Sequence, residues 1–118
     1  MTIDERASGG VTIFDVHGQL TIEDVSDKAL VERVRSCVQS GRNQVVLNLE
    51  GVPYVDTTGL CNTIEAYITT KRPGGALKLL HLERHVRALL TITKLLTVFE
   101  ASDSEADAIA SFGPTARG

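Results

Sequence analysis

Apolar and polar positions along the chain change their spacing several times, and each change marks an element. Val11 to Val16 is dense in β-branched and aromatic residues and predicts a strand. A weaker run, Thr2 to Arg6, precedes Ser8-Gly9-Gly10, which reads as a turn, so the two strands are expected to form a hairpin. From about Asp24 to Ser40 the spacing becomes helical. Leu30, Val34, Cys37 and Val38 form an apolar stripe, while Asp27, Lys28, Glu32, Arg33 and Arg35 lie mostly on the wet side, and Gly41 stops the helix. Gln44 to Leu49 predicts a strand, and Gly51 to Val55 a connection in which Pro53 cannot donate to a ladder. Asp56 is placed as a helix N-cap. Leu60, Ile64 and Ile68 then repeat on one helical face, and Lys71 and Arg72 close the helix, where cations suit its dipole. After the turn Pro73-Gly74-Gly75, Ala76 to Leu82 is nearly all apolar, as in a strand buried on both faces. Glu83 to about Thr93 predicts a helix with Val86, Leu89 and Leu90 inward. Val98 and Phe99 predict a last short strand, and Asp103 to Phe112 a final helix with Ala106, Ile109 and Ala110 inward.

A strand followed by four strand–helix units implies a single α/β domain: a mixed, mainly parallel sheet of four or five strands with about four helices and right-handed crossovers. The domain is expected over residues 1–113, with 114–118 as a flexible C-terminal tail. A chain of 118 residues can bury one core without metal or disulfide staples.

Composition narrows the function classes. Apolar residues make up 42% and charged residues 23%, which is globular. The net charge of −3 provides no basic stripe for nucleic acid or anionic membranes, and two tyrosines, three phenylalanines and no tryptophan leave little for base stacking. Cys37 and Cys61 both fall on apolar helix faces, far from any C-x-x-C pattern, and are expected as buried, reduced thiols. The start of the chain has no basic n-region with an apolar core, and no apolar run approaches the roughly 20 residues of a membrane helix, so a cytoplasmic protein is expected.

In parallel strand–helix units the connections leaving the strands' C-terminal ends share one edge of the sheet, where partners and ligands usually bind. Here that edge is Gly18 to Asp24, Pro53 to Thr58, His81 to Arg84 and Ser102 to Glu105. It sets Glu23, Asp24, Asp56, Glu83, Asp103 and Glu105 against Arg84, an acidic balance. Its sharpest segment is Asp56-Thr57-Thr58-Gly59-Leu60. Asp56 can accept from the amides of Thr58 or Gly59, Thr57 and Thr58 fall in the first turn, and Gly59 leaves room beside Thr58. A phosphate on Thr58 would be tolerated by free amides and the positive end of the helix dipole. Its charge of about −1.5 to −2 would oppose a docked, desolvated surface. Taken alone, the segment reads as ordinary helix capping.

Three landmarks in order resemble the STAS-domain anti-sigma-factor antagonists. Val55-Asp56-Thr57-Thr58-Gly59-Leu60 is similar to their Asp-Ser-Ser-Gly-Leu motif, Gly18-Gln19-Leu20-Thr21 to their Gly-Glu-Leu-Asp turn, and Val86 to Thr93 with Val98-Phe99 to their third helix and last strand. The resemblance spans about residues 3–112. It implies a partner-switching role. The unmodified antagonist binds an anti-sigma factor, often a serine/threonine kinase, and frees a sigma factor. The kinase phosphorylates the second hydroxyl of the motif, here Thr58, and a phosphatase resets it. The partner-binding surface so implied comprises Gln19, Thr21, Glu23, Asp24, Asp56, Thr57, Thr58, Gly59, His81 and Arg84. No cofactor, metal, nucleic acid or membrane insertion is expected, and the chain is not expected to be an enzyme. The sequence departs from the family at several places: both motif hydroxyls are Thr, Cys61 stands where Gly is frequent, Gln19 replaces an acidic residue, and Lys94 stands where a helix-ending Gly is common. STAS domains without phosphorylation serve as docking subunits in stress-sensing or lipid-transport complexes, which is the alternative role.

Other chemistries have weaker support. His81-Leu82-Glu83-Arg84-His85 puts its acidic residue one place too late for the His-Glu-x-x-His zinc signature. There is no nucleophile elbow and no phosphate loop ending in Lys-Ser or Lys-Thr. A nucleotide-binding protein or weak hydrolase is therefore the least supported reading.

Overall fold

A computed structural model describes residues 2–21 and 29–112. Strands β1 (Thr2–Ser8) and β2 (Val11–His17) form the expected hairpin. They are followed by α1 (Ala29–Gln39), β3 (Gln44–Gly51), α2 (Thr57–Lys71), β4 (Ala76–Leu80), α3 (Arg84–Ile92), the single turn α4 (Leu96–Phe99), β5 (Ala101–Ser102) and α5 (Glu105–Ala110). The five strands lie in the order β1-β2-β3-β4-β5. The β1–β2 pair is antiparallel and the other three pairs are parallel, so the sheet is mixed and mainly parallel, as expected.

Alternation along the strands divides the core in two. Phe14, Val16, Val45, Leu47, Leu49, Leu77 and Leu79 face the larger core, with Leu30 and Val34 of α1, Ala66 of α2, Val86 and Leu90 of α3 and Phe99 of α4. Val11, Ile13, Val46 and Leu80 point to the opposite face, where α5 brings Ala108 with Ile109 and Phe112. Lys78 interrupts the apolar run of β4 on this second face. Its buried stem carries Nζ to the Ser111 carbonyl at the end of α5 (2.9 Å), to Glu100 (3.3 Å) and over the Phe112 ring, so a cation closes the helix where the dipole favours one.

Three expectations are corrected. The last strand is Ala101–Ser102, not Val98–Phe99. Those two residues wind into α4, which drives Phe99 into the core edge-on against Tyr67 at 5.4 Å, and Glu100 then reverses the chain at φ 52°. In α5 the inward residues are Ala108, Ile109 and Phe112, while Ala106 and Ala110 are exposed, because Ser104 caps the helix and sets its phase. In α2 Leu60 and Ile64 pack partly buried against the core while Ile68 is 43% exposed, and the fully buried positions are Gly59, Asn62, Thr63, Ala66 and Thr70. Small side chains let this helix sit close to its neighbours, and its inward hydroxyls return to its own carbonyls, Thr63 to Gly59 (3.0 Å) and Thr70 to Tyr67 (2.8 Å). Cys37 is buried and donates to the Arg42 carbonyl, but Cys61 is exposed, since it shares the outer face of α2.

Lys94 keeps the left-handed conformation (φ 62°) of a helix-ending glycine even though it is a lysine, and the chain turns there from α3 into α4. No described helix is long and apolar enough to cross a membrane.

Candidate functional site: the start of helix α2

The site is built where the connections after β2 and β3 run side by side. Beyond the last ladder pair, Gly18 donates to Gly51, Leu20 to the Tyr54 carbonyl and Asp56 to the Leu20 carbonyl, all at 3.0–3.1 Å, and Leu20 and Val55 form a parallel bridge. Two loops that would otherwise be free are thus tied to one another as an extension of the sheet. Asp56 leaves this bridge in extended conformation (φ −97°, ψ −175°), and its carboxylate accepts from the Gly59 amide at 2.9 Å, the N-cap read from the sequence.

Gly59 has a different task from the one its sequence suggested. It is buried, and a Cβ there would lie 1.8 Å from the Leu20 carbonyl oxygen and 2.5 Å from its carbon. Both atoms belong to backbone already committed to Asp56, so neither can yield. The glycine lets α2 press its first turn on Leu20; it does not open space beside Thr58.

Thr57 is exposed and Thr58 half-buried, both in this first turn. The Thr58 side chain is neither buried nor fully exposed, and its hydroxyl has no hydrogen-bond partner among the described residues. Its carbonyl receives Nδ2 of Asn62 at 3.0 Å, one turn along. The first amides of a helix have no intrahelical acceptor, so a negative group on Thr58 would lie beside donors and the positive end of the dipole.

The other expected residues are less tightly assembled. Gln19 is exposed on the bridged loop. Thr21, two residues on, is buried, and its hydroxyl lacks a partner among the described residues, as does Oδ1 of buried Asn62. Glu23 and Asp24 lie outside the described residues. His81 (φ 58°) ends β4, with its amide on the Ser102 carbonyl, and Arg84 opens α3; neither makes a hydrogen bond or ion pair with residues 56–59.

The edge is less acidic than its sequence suggests. Asp103 pairs with Arg87 at 3.0 Å, and Glu105 has left the edge for the second face of the sheet. There Arg6 holds Glu105 (2.6 and 2.9 Å) and Asp15 (2.7 and 3.2 Å), and Asn48 donates to Asp15 (2.7 Å). The Arg6 hydrogen bond lowers the pKa of Glu105 and, with help from Asn48 against partial burial, that of Asp15; Glu105 first and Asp15 second hold the guanidinium firmly charged. Sequence spacing gave no sign of this link, because its partners are up to 99 positions apart. No group of three or more His, Cys, Asp or Glu able to hold a metal is present among the described residues.

The STAS domain profile matches residues 2–108, and the chain belongs to the STAS domain family. Among curated proteins none matches by sequence. Three solved structures illustrate the likeness of fold. A candidate anti-sigma factor antagonist from Thermotoga maritima superposes with a TM-score of 0.84 at 20% identity, covering 92% of each chain. The Bacillus cell fate determinant SpoIIAA in its phosphorylated form gives 0.70 at 14% identity, covering 94% of this chain and 99% of SpoIIAA. A sulfate transporter family protein from Wolinella succinogenes gives 0.67 at 18% identity, covering 86% of this chain and 84% of that one.

Proposed function

We propose that this chain is an anti-sigma factor antagonist. It binds an anti-sigma factor, itself a serine/threonine kinase, through the surface around the start of α2, and so frees a sigma factor in the cytoplasm. Phosphorylation of Thr58 inactivates it and a phosphatase restores it. The chain is then a binding partner and substrate, not an enzyme, and it works without a cofactor. The observation that carries this reading is the half-buried Thr58, whose hydroxyl has no partner among the described residues, on a first turn held by the Asp56 cap and the Gly59–Leu20 contact. A rigid platform lets one added group change binding without changing the fold. SpoIIAA, of the same fold, has been solved in a phosphorylated form. Gln19, Thr21, Asp56, Thr57 and Gly59 surround Thr58 in the proposed interface, Glu23 and Asp24 continue it, and His81 and Arg84 flank it on the next connection.

The test is incubation with an anti-sigma kinase from the same organism and ATP, followed by mass spectrometry. The phosphate is expected on Thr58; on Thr57 or elsewhere, the assignment is wrong. Thr58→Ala is expected to keep fold and binding but accept no phosphate. Thr58→Glu is expected to weaken binding on the order of 100-fold, as charge in a desolvated contact demands. An unchanged dissociation constant would sink the charge mechanism. The structural likeness to a transporter-family domain supports a second reading, a constitutive docking domain, which predicts stable binding with no phosphate transfer.

A further inference from the structure

We infer that β1 is a homotypic interface, at which two copies of this chain pair their first strands antiparallel about Glu5 and join two five-stranded sheets into one. The inference is independent of the Thr58 reading. The two edges of the sheet differ: β5 has two residues, whereas β1 has seven. An edge of that length is a template for another strand.

Hairpin geometry decides which groups of β1 face outward. Gly9 (φ 59°) and Gly10 (φ 82°) form a two-residue turn of the primed type, which closes on Ser8 and Val11 as a hydrogen-bonded pair. In an antiparallel ladder such pairs alternate, so Arg6, Asp4 and Thr2 also bond to β2, while Ile3, Glu5 and Ala7 turn their amides and carbonyls away. One side-chain contact agrees: Arg33 reaches the Ile3 carbonyl from outside the hairpin at 3.3 Å, and the second lone pair of that oxygen is left for the seam.

The outward register is complementary to itself. Antiparallel pairing about Glu5 sets Ile3 opposite the second copy's Ala7 and lets the amides and carbonyls of residues 3, 5 and 7 bond across the seam. It also sets Asp4 opposite Arg6 at non-hydrogen-bonded positions, where facing side chains come closest. Within one copy Asp4 faces Asp15 across the β1–β2 pair and has no cation partner among the described residues. Arg6 spends four of its five N–H donors on Asp15 and Glu105. The fifth is left for the second copy's Asp4. The two Glu5 side chains meet at the centre, but each already lies beside Arg33 (3.6 Å) and Arg42 (3.3 Å), which offsets their repulsion. A single pair of strands buries less than a standard stable interface, so the dimer is weak, with a dissociation constant on the order of 0.1 mM.

Sedimentation equilibrium from about 1 µM to 1 mM brackets that constant. The wild-type chain is expected to dimerise across this range and Asp4→Arg to stay monomeric, because it sets cation against cation at the seam. The same change places a cation opposite Asp15, so its melting temperature is expected to equal or exceed that of the wild type. Should Asp4→Arg fold poorly, Ala7→Pro removes one outward amide, spares the ladder to β2, and is likewise expected to be monomeric. Concentration-dependent amide shifts are expected at Ile3, Glu5 and Ala7. A wild type still monomeric at the highest concentration, a variant that dimerises equally well, or shifts centred on the groove of about 350 Å³ beside Cys61, Ile64 and Ile68 would overturn the inference.

Discussion

Helices α2 and α3 both start on the same edge of the sheet and pack on the same face, yet they are held in opposite ways. The start of α2 is fixed by a carboxylate cap, a backbone bridge and a glycine pressed on Leu20. Glu83, at the N-cap of α3, makes no side-chain capping bond, and Arg84 and His85 beside it are exposed. At the other end, α2 stops on an ordinary helical residue, Arg72, whereas α3 stops before left-handed Lys94 with Ile92 78% exposed. Val86 and Leu90 anchor α3 by its middle. The difference teaches that backbone contacts, more than apolar burial, make a helix start rigid enough to present a hydroxyl.

Breaking the α2 anchor gives the largest expected effect. Gly59→Ala forces a methyl group into backbone, and a loss of about 3 kcal/mol or more is expected from urea unfolding. A midpoint unchanged from wild type would mean the two loops are not locked together. Asp56→Ala removes the cap and is expected to cost about 1 kcal/mol or more, read in the same assay, with slower phosphate transfer in the kinase test proposed above. Lys94→Gly sharpens the contrast from the α3 side. Relieving a left-handed lysine is expected to gain about 1 kcal/mol, whereas the same replacement at helical Arg72 is expected to gain nothing.

The smallest effect is set by pH. Asp15 and Glu105 have folded pKa values below their ordinary ones, so the Arg6 link stabilises above the unfolded values of about 4 and is lost as pH falls through the folded values. Arg6 and Glu105 are more than a third exposed, so solvent screens most of this contribution. Acid unfolding of Arg6→Gln is expected to show a slightly shallower slope below about pH 4 than the wild type; an identical slope would mean the link adds no stability.

Local signals carried a large part of this protein. The alternation of strand and helix spacing, the turn at Gly9-Gly10, the Asp56 cap and the placement of Thr57 and Thr58 in the first turn of α2 were legible because each depends on residues within four or five positions. Long-range choices were not. Which residues of α2 are fully buried was decided by how close the helix must come to Leu20, and that favoured Gly59, Thr63 and Ala66 over Ile68. Cys61 is exposed as well. The last strand lies at Ala101-Ser102, after the turn α4 that buries Phe99 edge-on against Tyr67. Glu105 left the edge because Arg6, far off in sequence, offered a paired donor. Hydrophobic periodicity and capping are properties of one segment. Close backbone approach and ion pairing are properties of two, and only the assembled fold sets the distance between them.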